Sequence, residues 1–363
     1  MKPLLDEVRG NPLLWLLVFV PVALACQELA PGAHTLLFLL SVFAIVPLAA
    51  LLSRATESVA VRTGDAVGGL LNATLGNLTE LIIALAALRA GDIMLVKASI
   101  AGAIVTNALF VLGASFLLGG LKHHEQTYNP MNTRFQAELL FLATVALLAP
   151  SLVSQVDATA KMAFTHKLSV GLSLLLIVAY GLGMLFSLVT HREWFSDAGA
   201  AEHVETPWPI GLALGALAGV TVLIALVSEV FVESVQQAAQ AFGMSQAFVG
   251  FIVVALVGGA AEMGSAFSGA RKNRLDLSVG IALGSAAQIA LFVAPVLVLA
   301  SYFLAPAPMD ITFWPGAIAM IFIATLAAAL TTSSGRSAWF IGVLLLMVYA
   351  IFATTLYLLP PRP

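Results

Sequence analysis

Two glutamates lie inside long apolar stretches at positions 80 and 262, and one ungapped offset of 182 residues relates the sequence around them. The offset carries Gly76 onto Gly258, Glu80 onto Glu262, Arg89 onto Arg271, Gly102 onto Gly284 and Phe110 onto Phe292. From Asn72 to Gly113 and from Val254 to Pro295 the chain is written twice, with roughly a quarter of the positions in this block identical. Ala and Leu recur by chance in such sequence, but a matched Glu and a matched Arg do not. The chain therefore contains an internal duplication centred on two carboxylates.

Of the 363 residues 60% are hydrophobic and only 10% charged. A soluble domain carries about a quarter charged residues, so these proportions describe an integral membrane protein. A net charge of −3 with no basic or acidic tail gives no sign of nucleic acid as a partner, and lone Cys26 offers no internal disulfide. Residues 1–26 imitate a signal peptide, with Cys26 following an apolar run. Acidic Asp6 and Glu7 and a poorly placed Ala23 make a first transmembrane helix the better reading.

A span needs about 20 mostly apolar residues. That rule predicts eleven helices, near 12–29, 34–52, 65–89, 92–118, 134–154, 166–190, 208–231, 244–269, 275–303, 310–331 and 336–359. Eleven basic residues then fall on the side of the N-terminus and five opposite, which predicts a cytoplasmic N-terminus and an external C-terminus. Glu80 and Glu262 lie on the third and eighth helices, which cross in opposite directions. The expected architecture is all-α: an extra N-terminal helix over 1–33, a five-helix repeat over 34–190, a cytoplasmic connecting loop over 191–207 and an inverted five-helix repeat over 208–363. Inverted repeats with a site at mid-membrane are a transporter architecture.

An ionised side chain at membrane depth costs about 2.5–3.5 kcal/mol or more and marks a functional site by default. Asn72, Gly76 and Glu80 fall on one helix face, with Asn77 beside them. In the second copy Gly258 and Gly259 loosen the helix and free carbonyl oxygens for a cation. Thr106 and Asn107 from the fourth helix and Ser285 and Gln288 from the ninth add neutral oxygens. Such a set suits Ca²⁺, which takes six to eight oxygens at about 2.3–2.6 Å. Two carboxylates balance one divalent charge. With the cation gone, repulsion in a poor dielectric makes a bare pair untenable, so protons replace the metal. Occupancy by cation or by protons is then mutually exclusive, as exchange requires. The bland alternative is a pair of protonated glutamates that merely join helices, and Asn107 and Gln288 could equally be interhelical glue. Gly102 and Gly284 read as close-packing positions.

Elsewhere, His123 and His124 read as a solvated pair. The segment from His191 to Glu205, with Glu193, Asp197, Glu202 and His203, reads as a plain loop or a regulatory cation site. Arg89 and Arg271 are expected to snorkel to the headgroups.

At these residues the chain resembles the CAX-type Ca²⁺/H⁺ antiporters of the calcium/cation antiporter superfamily. Gly76-Asn77-Leu78-Thr79-Glu80-Leu81-Ile82 differs at one position from that group's first motif, and Gly284 to Pro295 is similar to its second repeat. The resemblance spans nearly the whole chain. It implies Glu80 and Glu262 as shared cation and proton sites, with Asn107 and Gln288 nearby. It also implies sliding second and seventh helices, with acidic Glu57, Glu229 and Glu233 towards their ends as gating positions. The chain departs from the pattern at Gly259, Met263 and Ala103, where Asn, His and Ser are usual. Sodium/calcium exchangers usually place Pro before the site Glu; Thr79 and Ala261 stand there, which favours protons as counter-ion. The expectation is a multi-pass protein of a bacterial cytoplasmic membrane that exports Ca²⁺ against entering H⁺. Ca²⁺ and H⁺ are its substrates, the lipid bilayer its surroundings, and no cofactor is called for. A Na⁺ or K⁺/H⁺ antiporter of the same fold is the alternative, and a homo-oligomer is compatible with the sequence. No aspartate-rich metal motif or Ser/His pair at membrane depth supports an intramembrane enzyme, and a passive channel is the weaker transport reading.

Overall fold

The computed structural model describes residues 2–63, 65–153, 161–195 and 207–359. Helices dominate, and their ends follow local chemistry. Helix α1, Lys2–Gly10, precedes α2, Pro12–Leu29, whose first turns are 3₁₀ and whose start is capped by Asn11 accepting from the Leu13 N–H at 3.1 Å. Helix α3 runs His34–Thr63 and α4 Asp65–Leu75; α5, Leu78–Arg89, follows after a break at Gly76-Asn77. Helix α6, Ile93–His123, starts where Asp92 caps the Leu95 N–H at 3.0 Å and contains a π-helical segment at Thr106–Val111. Helix α7 is Pro130–Val153, and α8, Lys161–Leu185, ends in a π segment, Phe186–Thr190. The second half repeats the plan. It comprises α9, Ile210–Ala241, α10, Gln246–Gly258, α11, Ala260–Arg271, and α12, Leu275–Leu304 with a π segment at Ile289–Val293; α13, Pro315–Thr332, and α14, Trp339–Leu358, complete it. A short antiparallel pair, β1 Glu125–Thr127 and β2 Arg336–Ala338, ties two loops with Gln126 opposite Ser337.

Among the described residues eight helices are long and apolar enough to cross a membrane, or nine when α10 and α11, bent by 61°, count as one broken span. The protein is thus a multi-pass membrane protein. The expected third span is present as α4 and α5, broken at Gly76-Asn77, and the expected fifth as α7. Two boundaries differ from expectation. Glu57 and Glu233 do not follow their helices but lie within α3 and α9, which run on to Thr63 and Ala241. The apolar count stops where polar residues begin, whereas a helix continues while its backbone hydrogen bonds do.

The 182-residue offset also holds for backbone detail. It superimposes the limits of α5 on those of α11 and the break at Asn77 on that at Gly259. Likewise it places the left-handed turn at Gly91 (φ 79°) on that at Asn273 (φ 62°) and brings the π segments of α6 and α12 into register. The core between the halves is closely packed. Ile104, Val105, Leu109 and Leu112 of α6 and Leu283, Ala286 and Leu291 of α12 are all fully enclosed.

Candidate functional site

Each helix break faces the glutamate of the other half. A methyl group placed on Gly258 would stand 3.0 Å from Glu80 Cγ, and one on Gly259 would stand 3.6 Å from Glu80 Oε1. Reciprocally, a methyl group on Gly76 would stand 3.6 Å from Gln288 Oε1 and 3.9 Å from Glu262 Oε1. Towards the partner glutamate, space is tight only at Gly258, where a methyl group would press on the Glu80 side chain; at Gly259 and Gly76 it would make ordinary contact with the partner carboxylate. Glu80 and Glu262 interact electrostatically, and Ser285 interacts with the Glu262 carboxylate.

Around them lie polar atoms that the protein leaves unpartnered. Both side-chain atoms of Asn77 (1% exposed), Nε2 of Gln288 and Oε2 of Glu262 are enclosed without a hydrogen bond, and Oδ1 of Asn107 on α6 is likewise unpartnered. A buried amide without a partner costs about 1–3 kcal/mol, so these groups have capacity left for a ligand. The breaks add backbone oxygens. Leu81 N–H donates to the Asn77 carbonyl at 3.1 Å and Met263 N–H to the Gly259 carbonyl at 3.0 Å. Gly76 and Gly258, the residues just before these two positions, bring their own carbonyls to the breaks. No group of three or more His, Cys, Asp or Glu side chains is arranged for a metal among the described residues. Any ion here depends on two carboxylates supplemented by amides, hydroxyls and carbonyls.

Several expected members are thus brought together: Glu80, Glu262, Asn77, Ser285, Gln288, Gly76 and Gly258, with Asn107 equally buried and unpartnered. Others are not. The Thr106 hydroxyl is engaged with the Tyr349 hydroxyl at 3.2 Å, and Asn72 is exposed on α4. Arg89 does not snorkel freely; it pairs with Glu229 at 3.3 Å. Gly102 is a close-packing site, its α-carbon crossing the backbone of Phe251, but Gly284 is not, since a methyl group there meets nothing within 4 Å. Met263 is a residue whose contact sequence reading did not foresee: its methyl carbon stands 3.3 Å from the methyl position of Gly259. In the connecting loop His191 stacks on Phe186 with ring centroids 4.2 Å apart, while Asp197, Glu202, His203 and Glu205 lie outside the described residues. His123 Nε2 is 3.1 Å from the Arg271 carbonyl oxygen.

A cleft of about 600 Å³ opens beside the site on the face expected to be cytoplasmic. Ser53, Arg54 and Glu57 of α3 form one wall, and Ala261, Ser265 and Ser268 of α11 the other. Its floor at Ala261 adjoins Glu262. Helix α1 contributes Glu7, which bridges to Arg54 at 3.2 Å at the cleft mouth, and Glu57 accepts from Ser53 at 3.2 Å. On the opposite face the equivalent seam between α5 and α9 is drawn together by the Arg89–Glu229 pair, and Gln27 of α2 donates to Glu233 at 2.5 Å.

Broken helices that set two buried carboxylates against each other inside a bundle of membrane-spanning length are the architecture of an integral membrane transporter. The family model described as sodium/calcium exchanger protein matches residues 33–189 and again 212–358, and the chain belongs to that family. It is 39% identical to the Ca(2+)/H(+) antiporter of a Synechocystis strain, covering 98% of this chain and 99% of the relative. It is also 39% identical to the Ca(2+)/H(+) antiporter ChaA of Bacillus subtilis, covering 96% and 100%. The structure of native YfkE superimposes with a TM-score of 0.81 at 35% identity, covering 95% of this chain and 98% of the other. The H+/Ca2+ exchanger CAX structure gives 0.72 at 17% identity, covering 96% and 91%, a likeness of fold alone.

Proposed function

We propose that this protein is a secondary active transporter that exports Ca²⁺ from the cytoplasm in exchange for entering protons. The observation that carries the reading is the reciprocal site: two carboxylates, each set against the other half's helix break and surrounded by unpartnered amides. Ca²⁺ enters through the cleft between α3 and α11 and is held by Glu80 and Glu262. Asn77, Asn107, Ser285 and Gln288 and the carbonyls of Gly76 and Gly258 complete its oxygen shell. Two negative charges match one divalent cation, and two protons replace it when it leaves, so neither state strands charge in the membrane. Glu57 on one face and Glu229 and Glu233 on the other act as gating positions. In this cycle α3 and α9 slide to close one seam as the other opens. The names carried by the full-length bacterial relatives support Ca²⁺ and H⁺ as the exchanged pair. Localisation in the bacterial cytoplasmic membrane follows from the same reading.

A Na⁺ or K⁺/H⁺ antiporter of this fold is the second reading, favoured only by the missing Asn at position 259. A monovalent ion would leave one carboxylate charged or protonated during each transfer. Proteoliposomes with a pH-sensitive dye inside decide the matter. The proposal expects Ca²⁺ to drive proton movement and equal concentrations of Na⁺ or K⁺ not to; proton movement driven by Na⁺ or K⁺ and not by Ca²⁺ rejects it.

A further inference from the structure

A second cleft, of about 450 Å³, opens on the same face between α6 and α11; it shares Gly264, Ser268 and Lys272 with the first cleft, but neither carboxylate of the exchange site lines it. Its charged residues are Lys122, Arg271 and Lys272, and no carboxylate lines it. Among the described residues none of the three cations is ion-paired; the Lys122 ammonium instead donates to the Arg271 backbone carbonyl at 3.0 Å, tying the ends of the two helices. All three are exposed. In a chain of net charge −3, this concentration of unpaired cations is local.

The vertical order of the walls is informative. Leu118 lies four residues before Lys122, and Phe267 four residues before Arg271, so on each helix an apolar side chain sits one turn beneath a cation. Below Phe267, Gly264 leaves the wall open, a methyl group there meeting nothing within 4 Å. Positive charge at the surface over an apolar slot is complementary to one kind of molecule, with a phosphate above and hydrocarbon below. A soluble phosphate would use the cations but leave the slot wet, and a zwitterionic lipid would bring its own cation among three others.

We propose that this cleft binds the headgroup of one anionic diacyl phospholipid, with its acyl chains against Leu118 and Phe267. Because α11 also carries Glu262, the lipid is bound to a helix of the exchange site. Basic groups near a membrane surface contribute about 1 kcal/mol each towards anionic lipid, which is roughly fivefold in affinity per charge.

The test is native mass spectrometry of the purified full-length protein, released from detergent after titration with phosphatidylglycerol or phosphatidylcholine. The expected result is one phosphatidylglycerol retained at least tenfold more tightly than phosphatidylcholine, with no competition from glycerol phosphate. A triple variant of Lys122→Gln, Arg271→Gln and Lys272→Gln should lose the preference on the order of a hundredfold. Arg271→Gln alone, a milder change if the triple variant folds poorly, should lose about fivefold. Equal retention of the two lipids, unchanged preference in Arg271→Gln, or displacement by glycerol phosphate would each overturn the proposal.

Discussion

Helices α4 and α10 occupy matching places in the two halves, each leading into a break before a site glutamate, yet they lean on different neighbours. Gly68 of α4 lies against the Ala60 carbonyl of α3, whereas its offset partner Gly250 of α10 lies against Ala98 of α6. The receiving helices record the same difference. Gly102 of α6 is in backbone contact with Phe251 of α10, while Gly284 of α12, 182 residues on, faces open space where α4 would have to be. The α5–α9 seam is bridged by Arg89 and Glu229, and the α3–α11 seam is a cleft. Equivalent sequence has thus taken two packings. The half-site facing the expected outside is shut, and the half-site facing the expected cytoplasm is open. In an exchanger built from two inverted copies, each copy displays the conformation that the other adopts in the opposite state.

The strongest way to break that symmetry is at the carboxylates. Glu80→Gln and Glu262→Gln should each abolish exchange in vesicles while leaving the protein folded, because an amide resembles a protonated carboxyl but can neither release a proton nor supply the second negative charge. Wild-type transport in either variant would mean that the copies do not share one ion.

Alanine at the two glycines should separate them. Gly102→Ala forces α6 off α10, and overpacking of this kind costs about 1–3 kcal/mol, seen as a lowered melting temperature. Gly284→Ala should leave the melting temperature nearly unchanged, within about 0.5 kcal/mol. It should nevertheless slow transport about tenfold, because its methyl group blocks α4 from reaching α12 as α10 reaches α6. Equal effects on stability would erase the distinction between open and closed halves.

A smaller effect is expected where the copies differ in chemistry. Asn77 has no counterpart amide, since Gly259 stands in its place, and the Met263 methyl already crowds that position. Gly259→Asn should raise the apparent Ca²⁺ affinity a few-fold when combined with Met263→Ala, and less on its own. Met263→His should shift the pH profile of uptake by adding a group that titrates near pH 6.5. If none of these variants differs from wild type, the asymmetry is chemically neutral.

Outside the membrane spans, Asp310 anchors the loop after α12 to Lys97 at 2.7 Å and is also bonded by Thr312. Burial alone would raise its carboxyl, but the Lys97 charge and hydrogen bond, together with the Thr312 bonds, hold it below the usual carboxylate range. A lowered folded value means that the contribution is present above the unfolded value near 3.9 and is lost as pH falls through the folded one. Asp310→Asn should therefore cost about 1 kcal/mol near neutral pH, with the melting temperatures converging only in strong acid.

The carboxylates, the breaks and the reciprocal Asn77, Gln288 and Gly258 were legible because a Glu in apolar sequence is costly and a repeated one is doubly constrained. The contrast between Gly102 and Gly284 was not, because identical residues cannot reveal which of two packings each half adopts. The Tyr349 partner of Thr106 was not legible because a hydroxyl at membrane depth fits a ligand or another hydroxyl equally well. The π segments left no sequence mark, since Thr106–Val111 and Ile289–Val293 read as ordinary apolar helix. The pairing of Arg89 with Glu229 was not legible because the partner lies 140 residues away on another helix.

The central claim is that cation and protons compete for one pair of carboxylates. It is tested most directly by adding Ca²⁺ to the purified protein in weakly buffered detergent and recording the pH. The account predicts proton release saturating with Ca²⁺, absent with equivalent Na⁺ or K⁺, and lost in Glu80→Gln and in Glu262→Gln. Ca²⁺ binding with no proton release, or release that survives both substitutions, would contradict it.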